Sequence, residues 1–166
     1  VQMTLVDTWA ATSAGAFALS ENNLYTVEAF REYFEHLKPD GMIAVTRWEF
    51  RQPREALRVV SQAMAALARL REQDSPPHFL VVAEAPLNED GVPVTVLAKR
   101  SPFTAEEEAT VRRHLAAYPR MAVLYSPSGA EKNAFADLIR SGDPAGFARN
   151  YPFNVAPVTD NDPFFF

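Results

Sequence analysis

The stretch "LVDTWAAT" at residues 5–12 places an aspartate at the end of an apolar run. A carboxylate at a strand's carboxyl edge can accept a proton from an attacking amine or pair with the protonated form. The same aspartate can instead cap the following loop by accepting backbone N–H bonds, a common use of Asp after a strand. Both readings of Asp7 stand at this level. Around it lie candidate partners for a small ligand. Thr8 and Trp9 follow directly, Trp9 being large enough to wall a pocket or to pack in the core. Tyr25, after the polar run Glu21, Asn22 and Asn23, can stack on a ligand or close the start of the next helix. Arg47 can pair with Asp7 or bind an anionic group.

These residues are positioned by alternating strand-like and helix-like segments. Gln2–Val6 is a short β-type run. Thr26–Leu37 carries Val27, Phe30, Tyr33, Phe34 and Leu37 at helical spacing, with Thr26 as its N-cap, and "LKPDG" closes it. Met42–Trp48 is the next buried strand. Pro53–Arg71 is predicted as a second helix with proline in its first turn and Leu57, Val60, Met64, Leu67 and Leu70 on one face. His78–Ala85 and Val92–Lys99 read as an antiparallel hairpin joined by "PLNEDG". A helix with an acidic first turn at Ala105–Tyr118, a strand at Met121–Tyr125 and two shorter helices at Glu131–Ser141 and Pro144–Asn150 follow.

Strand, helix, strand, helix and then a hairpin predict an α/β fold with parallel strands, an antiparallel edge and helices on both faces. Such an order matches the C-terminal half of a methyltransferase-like Rossmann sheet. Residues 1–104 are expected to form the half-sheet and residues 105–166 a C-terminal extension with one strand, the whole a single truncated domain. The cofactor half of such a sheet needs a glycine-rich turn, and none of the six glycines here forms a G-x-G. In open α/β sheets ligands bind beyond the carboxyl ends of the strands, and Asp7 and Arg47 share that edge.

Composition narrows the classes further. The chain has 166 residues, 48% of them hydrophobic, and a net charge of −5 with no basic cluster, which argues against a nucleic-acid surface. There is no cysteine, hence no disulfide, thiol nucleophile or thiolate metal site. The histidines 36, 78 and 114 are dispersed, and no metal is expected. A G-x-S-x-G elbow and a P-loop are both absent. The chain opens on Val1 inside a strand-like run, with no signal peptide, and ends on "DPFFF". A fragment is therefore expected, with any membrane segment outside it, because no stretch approaches the roughly 20 apolar residues of a transmembrane helix. The unpaired edge of a half-sheet also predicts a homodimer.

The stretch from "LVDTWAATSAGAFALSENNLYTVEAF" to "KPDGMIAVTRW" resembles the central part of spermidine synthases and their relatives. In that family a strand ends in an Asp-Ser-Ser-Asp-Pro type motif, and a Lys-Pro-Gly-Gly-like turn precedes the next strand. With the terminal "TDNDPFFF", it is most similar to spermidine synthase-like domains within bacterial multi-pass membrane proteins. The resemblance covers residues 1–48 and the last eight; the part from about 75 to 150 has no counterpart. It implies a transferase using S-adenosylmethionine or decarboxylated S-adenosylmethionine, neither expected to bind this chain alone. It also implies an amine or other nucleophile as acceptor and a cytoplasmic setting. Asp7 matches the motif aspartate that takes the proton during aminopropyl transfer, and Thr8 the serine after it. The second aspartate falls on Ala10 and the proline on Ala11, and Arg47 stands near a polar Gln of the family. One acid fewer and one arginine more disfavour a polycation, which argues against classical spermidine synthesis. The competing class is a noncatalytic interaction or regulatory domain that kept the fold and lost the chemistry.

Overall fold

The computed structural model describes residues 1–5, 22–72 and 74–165. Its centre is a five-stranded mixed sheet in the order β1-β2-β4-β3-β5. The strands are β1 (Gln2–Thr4), β2 (Met42–Glu49), β3 (Phe79–Glu84), β4 (Val92–Lys99) and β5 (Met121–Tyr125). β1 and β2 are parallel; the pairs β2–β4, β4–β3 and β3–β5 are antiparallel. The fold is α/β, and its hairpin is seated with the later strand, β4, next to β2. This arrangement is consistent with a Rossmann-like, methyltransferase-type domain. The antiparallel part extends beyond the hairpin, because β5 adds to the outer side of β3.

The helices are α1 (Val27–Glu35), α2 (Glu55–Arg69), α3 (Ala105–Leu115), α4 (Ala134–Ile139) and α5 (Pro144–Asn150). Thr26 caps α1 as its sequence position predicts, accepting from Ala29 N–H. α2 begins later than expected: Pro53 precedes the N-cap residue Arg54 rather than sitting in the first turn. It also ends earlier, at Arg69, with Arg71 in the left-handed region at φ 69°.

Strand alternation decides which side chains meet the helices. In β2 the residues 43, 45, 47 and 49 are buried and their neighbours are partly or fully exposed. Register carries this face across the sheet, aligning Ile43 with Ala98 and Phe79, and Val45 with Val96 and Val81. Val27, Phe30 and Phe34 of α1 and Leu57, Val60, Met64 and Leu67 of α2 join the same core. Lys99 lies on the other face, in register with Met42, and its ammonium bonds Glu107 of α3 at 2.5 Å. Helices thus flank both faces, α1 and α2 on one and α3 on the other. α3 carries a complete capping box between Thr104 and Glu107, the reason it starts where it does.

The β3–β4 loop is held to the end of β2 by Trp48, whose indole N–H donates to Asp90 C=O at 3.1 Å. Gly91 follows at φ 84°, and a Cβ there would stand 2.2 Å from Trp48 Nε1. Only glycine meets both conditions without displacing the indole. Gly91→Ala is expected to cost about 1–3 kcal/mol from the strained φ and the clash. Chemical denaturation together with the tryptophan emission spectrum checks it; unchanged stability and emission would refute the tight approach.

Candidate functional site

Arg47 and Glu49 continue the inward face of β2 at its carboxyl end, where Ile43 and Val45 supply apolar side chains one and two steps earlier. Two charges thus enter the core beside the first turn of α2. Both are compensated by that helix. Arg47, 3% exposed, donates through Nη2 to Glu55 Oε2 at 2.6 Å. Burial lowers its pKa, and the Glu55 charge works against that shift.

Glu49 is fully buried and acts as a remote cap. Its Oε1 accepts from the N–H groups of Phe50 (3.1 Å) and Arg54 (2.7 Å), and its Oε2 from Ala56 (2.8 Å) and Leu57 (3.3 Å). Arg54, the N-cap residue of α2, makes no side-chain capping bond. The helix start therefore depends on a carboxylate from the preceding strand, placed where the helix dipole favours negative charge. Burial pushes the Glu49 pKa up to about 7 against these four donors. Tyr151 contributes a buried hydroxyl with no hydrogen-bond partner among the described residues, its pKa pushed up to about 12 by burial and by the Glu49 charge. Arg54 spans two rings, its guanidinium carbon 4.3 Å from the Phe50 centroid and 4.8 Å from that of Phe153.

Tyr25 ends a short 3₁₀ turn at Asn23–Tyr25 opened by Asn22, whose side chain accepts from Leu24 N–H. Tyr25 is fully buried, its pKa raised to about 12 by burial. The guanidinium carbon of Arg47 lies 5.3 Å from the centre of its ring, and Phe165 stacks on it at 4.7 Å. Two of the four expected ligand-binding residues, Tyr25 and Arg47, are therefore brought together, and both are packed in the interior. Asp7, Thr8 and Trp9 lie outside the described residues, as do Ala10, Ala11 and Glu21. The last described residue before them, Leu5, donates its N–H to Thr46 C=O at 3.1 Å, one residue from Arg47.

Three participants escaped the sequence reading. Glu49 follows directly on the predicted strand and extends its odd-numbered inward face, a signal that was present but needed the strand to run one residue further. Glu55 and Phe165 carried no local signal, since their roles depend on contacts with Arg47 and Tyr25. Elsewhere, a shallow groove of roughly 460 Å³ on the outer side of α1 is lined by Asn23, Glu28, Ala29, Arg31, Glu32 and Asp160. Glu28 there is occupied by Arg69 at 2.6 Å and by Asp160 N–H at 3.1 Å. Among the described residues no helix is long and apolar enough to cross a membrane.

No family model matches the chain and no curated protein does. Among solved structures it is similar to a probable spermidine synthase from Corynebacterium glutamicum. The likeness has a TM-score of 0.44 and 20% identity, over 71% of this chain and 43% of that one. The chain thus spans less than half the length of that protein.

Proposed function

We propose that this chain forms the acceptor-side half of a group-transfer domain that uses S-adenosylmethionine or its decarboxylated form, with Asp7 as the base that takes the acceptor's proton. The observation that carries the reading is the cluster of Tyr25, Arg47, Glu49 and Glu55 at the carboxyl end of the parallel pair, the edge where open α/β sheets bind ligands. Leu5, two residues before Asp7 in sequence, lies at the same edge. The resemblance of "LVDTWAAT" to a motif with an aspartate in that place supplies the role. Thr8 and Trp9 belong to the proposed acceptor pocket, with Tyr25 and Arg47 at its base.

In this reading the cofactor supplies an electrophilic carbon on sulfonium. The chain's own residues orient the nucleophile and hold its proton at the Asp7 carboxylate. Glu55 already compensates Arg47 and Glu49 is committed to the start of α2, so these two acids are not offered to a polyamine. The acceptor is therefore proposed to be an amine with fewer charges than a polyamine, or another nucleophile.

Calorimetric titration tests the cofactor reading. The full-length protein is expected to bind S-adenosylmethionine or the decarboxylated form in the micromolar range. Residues 1–166 alone are expected to bind neither tightly, since they lack a glycine-rich nest for the cofactor. Binding by neither form to the full-length protein would overturn the reading in favour of a noncatalytic interaction domain.

A further inference from the structure

The last fifteen described residues, 151–165, contain no helix or strand beyond a tight turn closed by Thr159 and Asp162. Segments without secondary structure ordinarily run over a surface and are loosely held. This one is tied across α1 and α2. Val27 N–H donates to Val158 C=O at 2.9 Å, and Val158 N–H donates to Gln62 Oε1 at 3.2 Å. The hydroxyl of Thr26 donates to Asp160 Oδ1 at 2.6 Å. Val155 and Phe165 are buried to 0% and 2% exposure. The segment is sealed into the core by ties that span 96 to 134 residues of sequence.

Its end is fixed by Arg58. That side chain is 6% exposed, donates from Nε to Ala156 C=O at 2.9 Å, and donates from Nη1 to Phe165 C=O. The guanidinium carbon also sits 5.4 Å from the centre of the Phe165 ring. A buried guanidinium must find acceptors, and these are supplied by the terminal backbone with the Asp162 charge nearby. The same Phe165 ring stacks on Tyr25 and lies 5.8 Å from the guanidinium carbon of Arg47. One aromatic ring thus meets two arginines and a tyrosine, and two of those three belong to the candidate site.

We propose that the terminal segment is a positioning strap for Arg47 and Tyr25, with Phe165 and Arg58 as its positioning residues. Arg58 locks the segment to α2, and the Phe165 ring then limits the planes that Arg47 and Tyr25 can adopt. The participation of Arg47 and Tyr25 in ligand binding rests on the proposed function; the strap itself does not.

The test reads the arginine Nε–Hε signals of the intact protein labelled with ¹⁵N-arginine, assigned with Arg47→Lys and Arg58→Lys. Both guanidinium groups lie over ring faces, so both signals are expected upfield and slow to exchange. Phe165→Leu removes the ring and should abolish the upfield displacement of the Arg58 signal and reduce that of Arg47, which keeps the Tyr25 ring at 5.3 Å. Phe165→Tyr, which keeps the ring, should restore it. Val155→Ala loosens the same segment without touching the ring, and should lower the melting temperature while leaving both signals in place. Signals unmoved by Phe165→Leu, or moved equally by Val155→Ala, would overturn the proposal. Should Phe165→Leu fail to fold, Arg58→Lys decides: it breaks the two-carbonyl clamp and should shift the Arg47 signal, and an unshifted Arg47 signal overturns the strap. If the signals change as expected while acceptor KM and kcat in Phe165→Leu equal those of the wild type, the strap stands and Arg47 leaves the proposed site.

Discussion

Replacing Asp7 by asparagine in the full-length protein is expected to lower group transfer by roughly 10²–10⁴-fold, the range lost with a general base. Asparagine keeps the shape and the hydrogen-bonding oxygen but cannot hold the acceptor's proton. Stability should change by less than about 1 kcal/mol, because Asn and Asp accept backbone N–H bonds about equally well. The two readings of this residue separate cleanly on that basis. A base loses turnover and keeps stability; a loop cap keeps turnover. Transfer of a labelled aminopropyl or methyl group and thermal unfolding, measured on wild type and Asp7→Asn, provide the paired data. Turnover that survives the substitution ends the general-base role. A wild-type protein that transfers nothing to any amine points to the noncatalytic alternative.

Glu49 carries the second large effect, on stability. Glu49→Gln replaces one accepting oxygen by an NH₂ group that faces backbone donors, two of which lose their partner inside the protein. Unpaired buried donors cost about 1–3 kcal/mol each, and the lost cap lies at the start of the most buried helix, so a loss of about 2–4 kcal/mol near neutral pH is expected. The pH dependence has a definite sign. Burial raises the pKa of this acid from its ordinary value of 4.5 to about 7, so between those values the folded protein holds a proton that the unfolded chain has released. The folded state binds more protons there, and the contribution of Glu49 to stability falls as pH rises through that window, by on the order of 3 kcal/mol. Subtracting denaturation profiles of Glu49→Gln from those of wild type between pH 4.5 and 8 isolates this residue from the other carboxylates. A difference that does not vary with pH would mean that the four N–H donors fully offset burial, and that Glu49 titrates as an ordinary carboxylate.

The Glu49 effect traces to the carboxyl end of the parallel pair. A strand that delivers an arginine and a glutamate to the interior is costly unless something receives them. Here α2 receives both, one through the Glu55 side chain and one through its first N–H groups. That explains how a charged edge coexists with a tightly packed core, and why substitutions there should disturb the helix as well as any ligand.

Local sequence determined much of this protein. The apolar β-type runs Met42–Trp48 and Val92–Lys99 marked two central strands, while the structure decided which face of each is buried. "PLNEDG" marked the hairpin, Thr26 marked the start of α1, and the run Met121–Tyr125 marked β5. The alternating order of elements gave the α/β class. What lay beyond reach were contacts between residues far apart in the chain. α2 reads as a helix with Leu57, Val60, Met64, Leu67 and Leu70 on one face; Arg58 and Gln62, outside that set, are also buried because the terminal segment returns to bond them. The sequence of the aromatic terminus does not say what covers it; in the structure Phe165 is packed on Tyr25, close to Arg47. Sequence patterns report the periodicity of one element against an averaged core. The partners of Arg47, Glu49 and Arg58 depend on which distant backbone and side-chain groups the tertiary structure carries to them, and that was decided only by the packing of α2 between the sheet, α1 and the terminal strap.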